Sequence, residues 1–110
     1  IPQERLNHAA RTVVALCRQA RIEAIKTNRR MYLDCDRTAN ICRLTDSGTG
    51  RLVDAADFTK PEYGIIMDKS FRTNFSGRGN AAPAGKVVLR NDAGDTRTIT
   101  VRTSGGVVTR

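Results

Sequence analysis

Ala20-Arg-Ile-Glu-Ala-Ile-Lys-Thr-Asn28-Arg-Arg-Met-Tyr-Leu-Asp-Cys-Asp36 is the stretch in which the hydrophobic period of the chain changes. Before Asn28 the apolar residues recur with a helical period. From Met31 they recur at every second position, with Met31, Leu33 and Cys35 alternating against Tyr32, Asp34 and Asp36. A helix therefore gives way to a half-buried strand within a few residues. Upstream, residues 1–30 read as one helix. Pro2 sits where proline is tolerated, in a first turn, and Glu4 suits the positive end of the dipole. At about 100° per residue, Leu6, Ala10, Val13, Cys17, Ala20 and Ala24 fall on one stripe flanked by Ala9, Leu16 and Val14, while His8, Arg11, Arg18, Ile22 and Lys26 face away. A stripe rich in alanine lets its partner approach closely, which fits a sheet laid on the helix better than a leucine-rich bundle. From residue 4 to 29 the helix spans roughly 39 Å at about 1.5 Å per residue, long for so short a chain.

Downstream, Asp36-Arg-Thr-Ala-Asn40 is a turn, and Ile41–Asp46 returns with Cys42 and Leu44 on one face. Cys35 and Cys42 then share a face near the closed end of a hairpin, where a disulfide fits and two small buried thiols fit as well. Cys17 reads as a core filler. Three cysteines are no fully paired scaffold, and C-x6-C is not a usual zinc or redox spacing. Residues 51–53 form a possible short strand, 54–64 read as irregular, and 65–67 and 70–75 are short strand candidates. Residues 76–85 form a loop with three glycines and a proline. Residues 86–90 and 96–103 make a second hairpin across the turn 91–95, with Val87, Leu89, Ile99 and Val101 facing in; after Ser104-Gly-Gly106, Val107–Thr109 reads as an edge strand. One long helix followed by antiparallel hairpins is an α+β arrangement, expected to form one domain over residues 1–110: helix over 1–29, β-rich region over 30–110.

The chain has 110 residues, with 19 Lys+Arg against 11 Asp+Glu and a net charge of +8. It holds no Trp, three Phe and two Tyr, so aliphatic side chains must fill the core. No run of apolar residues is long enough to span a bilayer, and no signal segment opens the chain. It begins Ile1-Pro2 and reads as a mature or trimmed fragment. Residues 1–30 carry a net +5, residues 31–68 a net −3 and residues 69–110 a net +6. Such polarity steers a protein to polyanions or acidic partners, or is simply an arginine-rich soluble surface. Arginine outnumbers lysine fifteen to four, which suits bidentate phosphate contacts.

Base-stacking aromatics, a helix-turn-helix and an RNA-recognition signature are all missing, so any DNA contact would be to phosphates and independent of sequence. Arg78, Arg97, Arg102 and Arg110 are the candidates. Arg97 shares strand parity with Ile99 and Val101 and Arg102 has the opposite parity, which weakens a single patch.

Catalytic signals are weak. His8 and Cys17, nine residues apart, fall on opposite helix faces. No H-E-x-x-H or G-x-S-x-G motif is present. Gly48-Thr-Gly50 and Gly77-Arg-Gly79 lack the rest of a nucleotide-binding fingerprint and read as turns. Asp34 and Asp36 share a strand face that suits a cation or, more simply, solvent. The reading is non-enzymatic, with no cofactor and no metal.

Three stretches carry a family resemblance: Ala20-Arg-Ile-Glu-Ala-Ile-Lys-Thr-Asn28; Asn74-Phe-Ser-Gly-Arg-Gly79; and Gly85-Lys-Val-Val-Leu-Arg-Asn91 with Thr98-Ile-Thr-Val101 and Gly105-Gly106. In this order and spacing the chain resembles the GspH/FimT family of minor type IV pilins and type II secretion pseudopilins, from about residue 5 onward. The resemblance implies a pilin-like fold and a leader cleaved by a prepilin peptidase. It also implies an apolar helical segment anchored in the bacterial inner membrane, which the chain as given lacks, so that residues 1–29 are the lower half of the pilin spine. It implies a periplasmic globular part, where Cys35 and Cys42 can oxidise. Partners would be other pilins or pseudopilins in a filament on the cell surface. Some FimT-like members take part in DNA uptake through a basic C-terminal motif of the G-R-x-R kind. The matching place here reads Gly106-Val-Val-Thr-Arg110, so the first arginine is missing and Arg110 alone roughly matches. Double-stranded DNA is thus a second expected partner.

Overall fold

The structure, a computed structural model, describes residues 2–59 and 64–110. Helix α1 (Pro2–Thr27) is followed by β1 (Met31–Asp36), β2 (Ile41–Asp46), β3 (Leu52–Asp57), β4 (Ile66–Met67), β5 (Phe71–Phe75), β6 (Ala81–Ala82), β7 (Gly85–Arg90), β8 (Thr96–Val101) and β9 (Val107–Thr109). The strands form two antiparallel sheets, ordered β3-β2-β1-β5-β6 and β4-β7-β8-β9.

The helix stops at Thr27, short of residue 29, because Asn28 adopts the left-handed conformation (φ 52°). Arg29 N–H donates to Ala24 O (3.2 Å) and Asn28 N–H to Ile25 O (3.4 Å), the two bonds of a Schellman cap. Among non-glycine residues, asparagine bears this conformation at low cost. Only Asn28, Arg29 and Arg30 separate the helix from β1, so the cap sets the angle between them.

One core joins both sheets to the helix stripe. Leu6, Val13, Cys17, Ala20 and Ala24 of α1 are fully buried with Leu33, Cys35, Cys42, Leu44 and Phe75 of the first sheet and Val87, Leu89 and Ile99 of the second. Each large aliphatic side chain buried here contributes about 1.5–3 kcal/mol. Where the sheets meet, Cys42 Sγ lies 4.0 Å from Met67 Sδ. With no thiol proton on the bonded Cys42, this is a packing contact. His8, Arg11, Arg18, Ile22 and Lys26 are exposed on the other side of the helix.

Two elements differ from the sequence reading. Residues 54–57, expected to be irregular, continue a strand that begins at Leu52. This strand lies at a sheet edge and its register shifts beside Leu44 and Thr45, so Ala56 alone is buried and the alternation is lost. Residues 58, 59 and 64 lie outside the strands as expected, Ile65, expected to open a strand, lies just before β4, and 60–63 fall outside the described residues. The loop 76–85 holds the two-residue strand β6 on β5. Elsewhere strand ends shift by a residue or two, with β8 ending at Val101 rather than 103.

Candidate functional site

The three stretches quoted for the resemblance meet at the C-terminal end of the helix. Arg21 Nε donates to Gly79 O (3.1 Å). Gly77 lies against Asn28, so that a side chain there would collide with the capping residue. Gly79 (φ 86°) sits under Ile25 and Arg21, and Gly105 (φ 87°) packs on the carbonyl of Gly79 and on Arg21. Ala81 N–H also donates to Thr103 O (3.0 Å). Glycine at 105 is thus required twice, by backbone conformation and by close approach to the Gly79 carbonyl, whereas at 79 the positive φ alone requires it. The junction fixes the angle at which helix, first sheet and second sheet come together.

The four arginines singled out from the sequence divide. Arg97 lies on the helix side of β8, where its Nε donates to Asn7 Oδ1 (2.8 Å) and its Nη1 to Thr96 O (2.8 Å). Strand alternation places Arg102 and Arg110 on the opposite, outer face. Arg110 exchanges both backbone hydrogen bonds with Thr98, and Arg102 N–H donates to Gly106 O. Arg78 is exposed in the turn just before Gly79, whose carbonyl packs on Gly105.

Register adds two cations that sequence reasoning missed. Lys86 is opposite Thr100 and Arg90 opposite Thr96, so both share the outer face with Arg102 and Arg110. Their signal was parity with Arg102 across a hairpin whose pairing the sequence did not provide. Lys86, level with Thr100, and Arg90, level with Thr96, lie about 14 Å apart at about 3.4 Å per residue, with Arg110, level with Thr98, between them and Arg102 beyond the Lys86 end. Arg90 Nη2 is 3.3 Å from Asp68 Oδ1. Among the described residues, no ion pair involves Lys86, Arg78, Arg102 or Arg110. A shallow groove of about 620 Å³ runs over the Lys86 end, lined by Gly85, Lys86, Thr100, Arg102 and Thr103.

The acidic groups are largely committed. Asp34 Oδ1 is 3.3 Å from Arg72 Nε, and Asp36 Oδ1 accepts from Thr38 N–H and Ala39 N–H in the first turn. Asp46 Oδ1 accepts from Gly48 N–H and Oδ2 from Arg29 Nη2, both at 2.8 Å. The Gly48 amide first, and the Arg29 guanidinium after it, outweigh the opposing desolvation and hold the Asp46 carboxyl below its ordinary range. Cys35 and Cys42 face each other across β1 and β2 with Cα atoms 3.9 Å apart, and their sulfurs are bonded. Burial pushes the Cys17 thiol up to about 12, leaving it a core side chain rather than a nucleophile. Among the described residues no group of His, Cys, Asp and Glu is arranged to hold a metal, and no helix is long and apolar enough to cross a membrane.

A family model described as type II transport protein GspH matches residues 9–105. The chain belongs to the GspH family. This family comprises pilin-type and pseudopilin-type structural subunits. No curated protein matches the chain. Two crystal structures of the type IV minor pilin FimU of Pseudomonas aeruginosa share the fold of this GspH-family chain. One has a TM-score of 0.77 at 15% identity, covering 98% of this chain and 90% of FimU. The other has a TM-score of 0.73 at 16% identity, covering 96% and 92%. One helix laid on antiparallel sheets is therefore the pilin fold, and the glycine junction at the helix end is what this chain builds it on.

Proposed function

We propose that the chain is a non-enzymatic subunit of a type IV pilus-type filament, contributing to its assembly or initiation. The observation that carries this reading is the helix. Its alanine stripe is buried on the sheets, while the opposite side stays open and carries Ile22 (62% exposed) among Arg11, Arg18 and Lys26, with Ile25 (46% exposed) on the flank over Gly79. Exposed isoleucines on a helix otherwise docked to its own domain supply apolar area for a neighbouring subunit. In this reading the helix continues into an apolar segment held in the bacterial inner membrane, and the sheets lie in the periplasm, where the Cys35–Cys42 bond persists. Changing Ile22 to Asp should leave thermal unfolding of the domain nearly unchanged while the full pilin drops out of sheared filaments. Normal incorporation of this variant would overturn the role of the helix face. A minor place in a type II secretion pseudopilus uses the same assembly chemistry. Complementation of a pilus-deficient against a secretion-deficient strain separates the two.

The outer face of the second sheet favours a second reading, capture of double-stranded DNA through phosphates. It groups Lys86, Arg102 and Arg110, which have no ion-pair partner among the described residues, next to Arg90. Three or four phosphate contacts give a logarithmic salt slope of about −3. Changing Lys86, Arg102 and Arg110 to Glu should remove binding, whereas Arg97→Glu, on the helix side, should weaken it far less. Absence of binding by the unmodified domain at low salt would leave the charge as a surface property.

A further inference from the structure

The first sheet buries Leu33, Cys35, Cys42, Leu44 and Phe75 in the core it shares with α1. Strand alternation sends their neighbours to the opposite face, away from the helix. Register lines these neighbours up in rows. Tyr32 of β1 stands between Thr45 of β2 and Asn74 of β5, with Leu52 beyond Thr45 and Ala82 beyond Asn74. In the next row Asp34 stands between Arg43 and Arg72, its Oδ1 3.3 Å from Arg72 Nε. A groove of about 510 Å³ runs over both rows, lined by Tyr32, Asp34, Thr45, Arg72, Asn74 and Pro83. Its rim is held where Thr73 Oγ1 donates to Pro83 O (2.8 Å). Tyr32 is 47% exposed, and no other aromatic side chain of the described residues is exposed. The side chains of Tyr32, Thr45 and Asn74 make no hydrogen bond among the described residues.

We propose that this groove binds a neutral saccharide, with one sugar ring stacked on Tyr32. The groove belongs to the folded domain alone, so the proposal stands apart from the filament-subunit reading. The exposed ring is a flat apolar platform that the C–H face of a pyranose covers, held by dispersion and by the electron-rich face of the aromatic ring. Around it stand donors and acceptors for hydroxyl groups, which themselves both donate and accept. The Asn74 amide and the Thr45 hydroxyl can do either, the Asp34 carboxylate accepts and the Arg72 guanidinium donates. Thr45 and Asn74 are two strand spacings apart, about 10 Å, so they flank the place of the sugar instead of crowding it. A groove of this volume lies in the range of small-molecule sites. Charge points the same way. The lining holds one acid and one base, Asp34 and Arg72, already paired. On the strands of the whole face, Arg43 and Arg72 stand against Asp34, Asp36 and Asp57. That mixture favours neither a polyanion nor a polycation, whereas an uncharged, hydroxyl-rich ligand matches it.

The test is an amide NMR titration of the purified chain with four neutral probes: maltotriose, cellotriose, triacetylchitotriose and lactose. At least one should move the amides of Tyr32, Asp34, Thr45 and Asn74 with a Kd of about 1 mM, as suits an open groove. Tyr32→Ala should weaken that binding about tenfold or more, whereas Tyr32→Phe, which keeps the ring, should stay within about threefold of the parent. Asn74→Ala should weaken it by about threefold to tenfold. Because the ligand is uncharged, raising the salt from about 0.05 to about 0.5 M should change the Kd less than about twofold. Silence of these amides with all four probes at roughly 20 mM would overturn the proposal. So would sugar binding that Tyr32→Ala leaves intact in a folded variant, or binding that moves only amides of the second sheet. If the same amides move on raising the protein concentration and not on adding sugar, a second copy occupies the groove and the saccharide reading falls. Loss of sugar binding in Tyr32→Ala with normal entry of the full pilin into filaments is the expected result, and leaves the assembly reading untouched.

Discussion

The β1–β2 and β7–β8 hairpins each pair six residues with six, yet they are closed in different ways. In the first, a disulfide joins Cys35 to Cys42 beside the turn, and Asn40 (φ 56°) donates through Nδ2 to Phe58 O (2.9 Å) and Ile65 O (2.8 Å), holding both flanks of the following segment. The second has no covalent link. Asn91, 5% exposed, accepts through Oδ1 from Ala93 N–H (3.1 Å) and Asp95 N–H (2.9 Å), and Gly94 takes φ 87° to let the chain return. The far end of the second hairpin is then pinned to the helix by the glycine junction. One hairpin is secured at its turn by a bond, the other at its base by close approach. The cost of damage should therefore fall at opposite ends of the two.

The largest effect is expected at the base of the second hairpin. Gly105→Ala places a methyl group on the Gly79 carbonyl at a positive φ. It should cost about 3 kcal/mol or more in urea unfolding. Amide exchange should speed up first in β8 and β9, with β1 and β2 still protected. Retained stability in this variant would show that the junction is loose and that the comparison is drawn in the wrong place. Next comes reduction of the disulfide. Opening a loop with a sequence separation of 7 should cost about 2.5 kcal/mol by loop closure entropy. Exchange should now rise at the β1–β2 turn and leave Ala93 and Asp95 unchanged.

A smaller loss, about 1–2 kcal/mol, is expected for Asn91→Ala, which leaves two turn amides without their acceptor. If Asn91→Ala matches the cost of reduction, side-chain closure equals covalent closure in this fold, and the contrast between the hairpins disappears. Smallest is the pH response of Asp46, at the open end of the first hairpin. Its carboxyl is held below its ordinary value of 3.8 in the folded state. The stability it provides is therefore present above that value and lost as pH falls through the lower folded one. Melting temperatures of the parent and of Arg29→Ala, followed from pH 6 to 2, should converge at the acid end. A constant gap between the two curves would mean that Asp46 does not titrate against Arg29.

The fold was legible where one physical rule governed. The helix stripe and the strands β1, β2, β7 and β8 all alternate cleanly between buried and exposed positions, since each has the core on one side and solvent on the other. The family resemblance added the pilin architecture that no single stretch conveyed. β3 was only half legible: Leu-Val-Asp-Ala-Ala-Asp has no period because an edge strand with a shifted register buries little. β6 went unseen, as two alanines between Gly79 and Pro83 carry no strand signal. At the candidate surface, Arg97 was separable from Arg102 by parity within one strand. Lys86 and Arg90 were not, because their face depends on which residue of β8 each one opposes.

Asn28 turns the long helix into a pointer. With only three residues between the helix and β1, and Gly77 set against the capping asparagine, the base of that pointer has almost no play. Over an arm of roughly 39 Å, a tilt of about one degree at Asn28 moves the far end by roughly 0.7 Å, a sizeable part of the tolerance of a packed contact. Substitutions at Gly77, Gly79 or Gly105 that leave the domain folded would therefore mis-aim the opposite end of the molecule, and would be felt by whatever the first turns of the helix touch.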